Sequence, residues 1–179
     1  ISSFQVSPDG NKVLVFNNTA RDWRYNTRGD YWGVNSESGV VRKLGKEDFE
    51  PSKMKFAKFS PDSKYVAYVY KRNIYIEHLA SKRISQITKT ESDDIINGTS
   101  DWVYEEELDL RDGFQWSPDS KQIAFWQVDA RNIRNFYMIN NTDSTYSRLV
   151  PVQYPKVGET PSACKVGVID LKAGKTRWL

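Results

Sequence analysis

Three copies of one turn constrain this chain more than any other feature. Ser7-Pro8-Asp9-Gly10, Ser60-Pro61-Asp62-Ser63 and Ser117-Pro118-Asp119-Ser120 are preceded by the aromatic strand ends Phe4, Phe59 and Trp116. They run into Val13-Leu14-Val15-Phe16, Tyr65-Val66-Ala67-Tyr68-Val69 and Gln122-Ile123-Ala124-Phe125-Trp126. Proline presets φ at the first turn position, aspartate bonds the backbone just ahead, and Gly or Ser closes the turn. Strand, tight turn and strand predict a hairpin in each copy. Each unit also carries an outer hairpin: 30–34 with 40–44, 73–78 with 83–88, and 166–170 with 176–179. Four short strands in a unit of about 50 residues is the signature of propeller blades.

The fold expected is therefore all-β, with about three four-stranded blade-like units near 1–50, 51–110 and 111–179. Propellers close with about four to eight blades, so three units form an arc of a larger ring. Ile1 leads straight into the strand-like Phe4-Gln5-Val6, and the expectation is a piece of a longer chain. An isolated arc leaves two apolar blade faces open to association.

Composition narrows the function classes. The 179 residues, 39% hydrophobic and 13% aromatic, suit one packed domain rather than a disordered chain. The formal net charge is only +3, with basic residues scattered, which argues against a nucleic-acid partner. No apolar run reaches the length of a membrane span. Cys164 is the only cysteine, expected to be a buried or incidental thiol, and His78 is the only histidine, in a strand-like run. Neither has metal-ligand spacing around it, so no metal and no cofactor is expected. Three glycosylation sequons begin at Asn17, Asn97 and Asn140.

Three insertions depart from the repeat, and function concentrates in such segments. The first runs from Asn17 to Asp30, the second from Lys89 to Asp112, and the third, an extended path, from Asp129 to Lys165. The second holds Asp101-Trp102-Val103-Tyr104-Glu105-Glu106-Glu107-Leu108, predicting a short acidic helix near 100–108. Ser100 or Asp101 can cap it, and the glutamates then fall near the positive end of its dipole. Tyr104 and Leu108, four apart, share a face that can anchor the turn on a core. Successive glutamates point about 100° apart, so two can flank one pocket while the third points elsewhere. Such a pair can receive a cation such as an ammonium group; an exposed, solvated acidic helix is the plainer alternative.

With these blocks in order, the chain resembles the propeller of the dipeptidyl peptidase IV family, serine exopeptidases of the prolyl oligopeptidase type. The resemblance rests on Asp22-Trp23-Arg24, the block from Asp94 to Glu107 ending Trp-Val-Tyr-Glu-Glu-Glu, Trp116-Ser117-Pro118, and Val152-Gln153-Tyr154-Pro155-Lys156-Val157-Gly158. It implies an eight-bladed propeller capping an α/β-hydrolase domain of the same chain, which lies downstream of Leu179 and carries the Ser/Asp/His triad. It implies peptide substrates with a free N-terminus, from which Xaa-Pro or Xaa-Ala dipeptides are removed. Glu106 and Glu107 match the family's ammonium clamp, and Arg24 the arginine that neighbours the pair and contacts the substrate's carbonyl. Glu105 is then structural or solvated, while Trp102 and Tyr104 support the helix. The chain alone holds no catalytic residue and should be inactive. A homo-oligomeric parent in the periplasm, secreted or at the cell surface is also implied. Two stretches depart from the family pattern: 108–114 after the glutamates, and 129–136. A non-catalytic propeller that binds peptides or proteins is the alternative reading.

Overall fold

The computed structural model describes residues 1–90 and 92–179, and its framework is three antiparallel four-stranded meanders, the first two joined into one eight-stranded sheet by the pairing of Arg28 with Lys55 and Gly29 with Met54. The first comprises β1 (Ser3–Val6), β2 (Lys12–Ala20), β3 (Arg28–Asn35) and β4 (Val41–Lys43). The second comprises β5 (Met54–Phe59), β6 (Tyr65–Tyr70), β7 (Asn73–His78) and β8 (Ile84–Gln86). The short β9 (Ile95–Asn97) leads to the helix α1 (Trp102–Glu106). The third meander is β10 (Phe114–Trp116), β11 (Gln122–Asp129), β14 (Ala163–Asp170) and β15 (Lys175–Trp178), with β9 paired to the far end of β11. The third insertion forms a hairpin of its own, β12 (Asn135–Asn140) with β13 (Arg148–Gln153), whose Tyr137, Ile139 and Leu149 are exposed.

Strand β6 shows why the meanders stack. Its sequence, Tyr-Val-Ala-Tyr-Val-Tyr, is apolar without alternation because both faces are covered. Val66, Tyr68 and Tyr70 share a core with Leu14, Tyr31 and Leu44 of the first meander and with Met54 of their own. Ala67 and Val69 point the other way, to Phe114, Trp116, Ile123 and Phe125 of the third. The side-chain period of two thus divides one strand between two cores. At the two ends of the stack Ile1 and Phe4, and Trp178 and Leu179, are exposed.

The repeated turn also joins neighbouring meanders. In the first copy Ser7 Oγ donates to Asp9 Oδ1 (2.6 Å), and the Asn11 amide donates to the same oxygen (3.1 Å). The closing residue has positive φ in all three: Gly10 at 76°, Ser63 at 57° and Ser120 at 61°. Serine tolerates this strained backbone because its hydroxyl has a task. Ser63 Oγ accepts the Asp9 amide (3.1 Å), and Ser120 Oγ accepts the Asp62 amide (3.0 Å), a ladder from each turn to the next. Buried Glu77 ties the first two meanders by accepting from Arg42 and from the Gly45 amide (3.0 Å). Lys58 ties the second to the third through Asp112 (2.6 Å) and the Phe114 carbonyl (2.8 Å).

Several polar groups singled out in the sequence serve the frame. His78 Nδ1 accepts the Ser81 amide (3.1 Å) and closes the β7–β8 turn. Asn97 is buried, donating to Asn73 Oδ1 (3.1 Å) and accepting from Gln127 (2.8 Å), so that sequon serves packing. Cys164 is exposed on β14, which removes the alternative of a buried thiol.

Candidate functional site

The acidic helix sits in a loop whose ends are stapled together beside β11. The Gly113 amide donates to the Gly98 carbonyl (3.0 Å), the Gly98 amide to the Trp126 carbonyl (3.0 Å), and the Trp126 indole to the Thr99 carbonyl (3.0 Å). A Cβ on Gly113 would meet Trp126 Nε1 at 2.3 Å, so only glycine lets the chain return this close. Compact loops with joined ends are frequent carriers of function.

Helix α1 is a five-residue turn, too short to persist in water by itself. Asp101 is its cap: Oδ1 accepts the Tyr104 amide (3.1 Å), one of the otherwise unpaired donors of the first turn. Asp101 Oδ2 accepts from Ser162 Oγ (2.5 Å), and Tyr104 Oη donates to the Ser162 carbonyl (3.0 Å). The helix is thereby held to the strand β14 region at two points. Trp102 packs against Tyr154, ring centroids 4.3 Å apart. Leu108 does not share in this anchoring. The helix ends at Glu106, and Leu108 is 55% exposed, because the Leu110 amide turns back onto the Tyr104 carbonyl (2.9 Å).

The three glutamates have three environments. Glu105 points inward and is buried, with neither carboxylate oxygen hydrogen-bonded. Burial pushes its pKa up, opposed by the charges of Lys55 and Arg111. Glu105 is therefore structural, not solvated. Glu106 is half-buried overall with its carboxylate nearly covered, and Arg24 takes both oxygens. The Arg24 backbone N–H donates to Oε1 (3.1 Å), and the guanidinium Nε lies 2.7 Å from Oε2. Glu107 caps the C-terminus through its amide and the Val103 carbonyl (2.9 Å), and its exposed carboxylate has no partner among the described residues.

Arg24 arrives on the loop between β2 and β3, which spans residues 21–27. The base of that loop is fixed by Asp22, which pairs with Arg28 (3.2 Å) and with Lys55 of β5. Arg28 also donates from Nε (3.2 Å) and Nη2 (3.1 Å) to the Arg21 carbonyl. Arg24 itself is 74% exposed, so its remaining guanidinium donors face outward. A carboxylate offers about four lone-pair sites. Arg24 engages two of these on Glu106, whose side chain is only 5% exposed, and Glu107 adds a free carboxylate one residue on. An open cleft of about 750 Å³ is lined by Asp22, Trp23, Ser100, Asp101 and Trp102 among others, and Arg24, Glu106 and Glu107 are not part of its lining.

Of the residues expected from sequence, Arg24 and Glu106 are brought into contact. Glu107 follows on the exposed side, and Trp102 and Tyr104 lie on the supporting face. Sequence reasoning assigned nothing to Lys55, Arg111 or Ser162. Each acts across a gap of more than 25 residues or out of an unremarkable turn, and no local pattern marks it.

Comparison with known proteins identifies the family. The profile of the dipeptidyl peptidase IV N-terminal region matches residues 7–179. Dipeptidyl aminopeptidase B of Saccharomyces cerevisiae is 31% identical over 179 residues, covering 97% of this chain and 21% of its own length. The crystal structure of Porphyromonas gingivalis dipeptidyl peptidase 4 superposes with a TM-score of 0.91 at 26% identity, covering all of this chain and 25% of that one. The chain thus spans a fifth to a quarter of the relatives it matches. Its all-β fold is that of the propeller region of the bacterial structure, and the chain belongs to the dipeptidyl peptidase IV family, within its N-terminal region.

Proposed function

We propose that this chain is the substrate-selecting propeller portion of a dipeptidyl peptidase IV-like serine exopeptidase, which removes Xaa-Pro or Xaa-Ala dipeptides from free N-termini. The observation that carries the reading is the two-point contact of Arg24 with Glu106, next to the unpaired Glu107. The substrate's ammonium is received by Glu106 and Glu107 through charge-assisted hydrogen bonds. Arg24 shares Glu106 with the ammonium and turns its outward donors to the substrate's carbonyl. Blocked or internal peptide segments bring no ammonium and leave the pair desolvated and unpaired, which makes the enzyme an exopeptidase.

The chemistry belongs to an α/β-hydrolase domain further along the chain, which supplies the Ser/Asp/His triad, and the propeller closes with eight blades. The blade-like units near 1–50, 51–110 and 111–179 are three of these. The parent works in the periplasm, outside the cell or at its surface. It is a homo-oligomer, a reading favoured by the exposed apolar side chains of the β12–β13 hairpin. The test is cleavage of a Gly-Pro reporter with a free amine against its N-acetylated form by the full-length protein. Cleavage of the free form alone supports the reading. Cleavage of both removes the amine clamp, and cleavage of neither leaves a propeller that binds without catalysing.

A further inference from the structure

We propose that Arg111 is a positioning residue for Arg24, acting through the ring of Tyr25; this rests on the reading of Arg24 and Glu106 as the ammonium clamp. After α1 the chain passes through Asp109, with φ of 58°, and folds back over the helix. That reversal returns Arg111 to the base of α1. Its Nη2 lies 2.5 Å from Asp109 Oδ1, and its Nε lies 3.7 Å from buried Glu105 Oε1. Held between one exposed and one buried carboxylate, the guanidinium presents its face to Tyr25, 4.0 Å from the ring centroid. A planar, delocalised cation is suited to this stacking, and an ammonium is less so.

The two loops therefore meet through two adjacent pairs: Arg24 with Glu106, and Tyr25 with Arg111, which Glu105 backs. The first pair is the one a substrate must share. When an ammonium draws on Glu106, the tip of the Arg24 loop loses part of its hold, because Asp22 fixes only the base. The Tyr25–Arg111 stack does not involve the substrate and keeps the loop in register while Glu106 changes partners. It also gives buried Glu105 a purpose: its carboxylate stands on the side of Arg111 opposite Asp109, near the Nε that has no hydrogen-bond partner among the described residues.

The test is steady-state kinetics of the full-length protein on the free-amine Gly-Pro reporter. Arg111→Ala is expected to raise KM about fivefold, the scale of one partly exposed cation–π contact, with kcat within about twofold. Tyr25→Leu should do the same, Tyr25→Phe should keep the wild-type KM because the ring remains, and the Arg111→Ala/Tyr25→Leu double variant should be no worse than either single. A merely structural role would lower kcat and thermal midpoint together and would spare neither Tyr25→Phe nor the coupling. An unchanged KM in Arg111→Ala, or fully additive effects, overturns the proposal, provided Glu106→Gln impairs the same reporter. If Glu106→Gln is itself silent, the clamp reading fails first. Should Arg111→Ala not fold, the contrast between Tyr25→Leu and Tyr25→Phe decides alone: equal KM values refute the stack.

Discussion

Replacing Glu106 with glutamine tests the site with little change in shape. The carboxylate accepts two bonds from one residue, the Arg24 amide on Oε1 and the Arg24 Nε on Oε2. A carboxamide offers one acceptor and one donor group, so either orientation sets an N–H against an N–H. One charge-assisted bond is lost, worth about 1.5–3 kcal/mol. Arg24 is 74% exposed, so solvent screens the pair and the lower end applies. About 1.5 kcal/mol corresponds to roughly a tenfold loss in kcat/KM. The loss should appear chiefly in KM for the free-amine reporter, because the ammonium is bound in ground state and transition state alike. Arg24→Ala should lose more, since it leaves the Glu106 carboxylate covered and short of its cation. Kinetics of Glu106→Gln within twofold of wild type, in a protein shown to be folded, would refute the clamp.

Three further outcomes are expected. Asp101→Ala should destabilise the α1 loop by about 1–3 kcal/mol, from the lost cap and the stranded Ser162 hydroxyl. Asp101→Asn should lose less, and equal amide exchange rates for α1 in both variants would contradict the capping account. Glu105→Gln should stabilise the same loop at neutral pH. Burial raises the folded pKa of Glu105, Asp22 and Glu106 add to the rise, and Lys55 and Arg111 oppose it. The folded state therefore binds the extra proton, and stability falls as pH rises from the unfolded carboxylate range through the raised folded value. The benefit of Glu105→Gln should accordingly shrink on acidification, and a benefit independent of pH would show that burial of the charge is not its source. Gly113→Ala should cost about 1–3 kcal/mol by driving a methyl group into the Trp126 indole, and an unshifted denaturation midpoint would show that Trp126 can yield.

Much of the frame was legible in the residues because its causes are local. Pro8, Pro61 and Pro118 preset their turns, and the residue four places into each repeat had to be one that tolerates positive φ. Both flanking strands and the outer hairpins follow from that punctuation and from side-chain alternation. The acidic helix was legible too, with its cap narrowed to Ser100 or Asp101, of which the structure uses Asp101. Its length was not: Tyr104 and Leu108 have helical spacing, but the backbone turns at Glu107, and Leu108 ends in solvent.

Which glutamate does what was decided only by the tertiary structure. Three identical side chains in succession carry no local difference. Glu105 is buried because α1 lies against Lys55 and the Arg24 loop, Glu106 is covered because Arg24 crosses to it from 82 residues away, and Glu107 is left free. Likewise Ser63 and Ser120 read as turn residues in sequence, while their hydroxyls serve the meander before. Turn chemistry and strand alternation act over a few bonds and can be read along the chain. The partner of a charge or hydroxyl depends on which strands stack, and that is set by apolar packing among residues far apart in sequence.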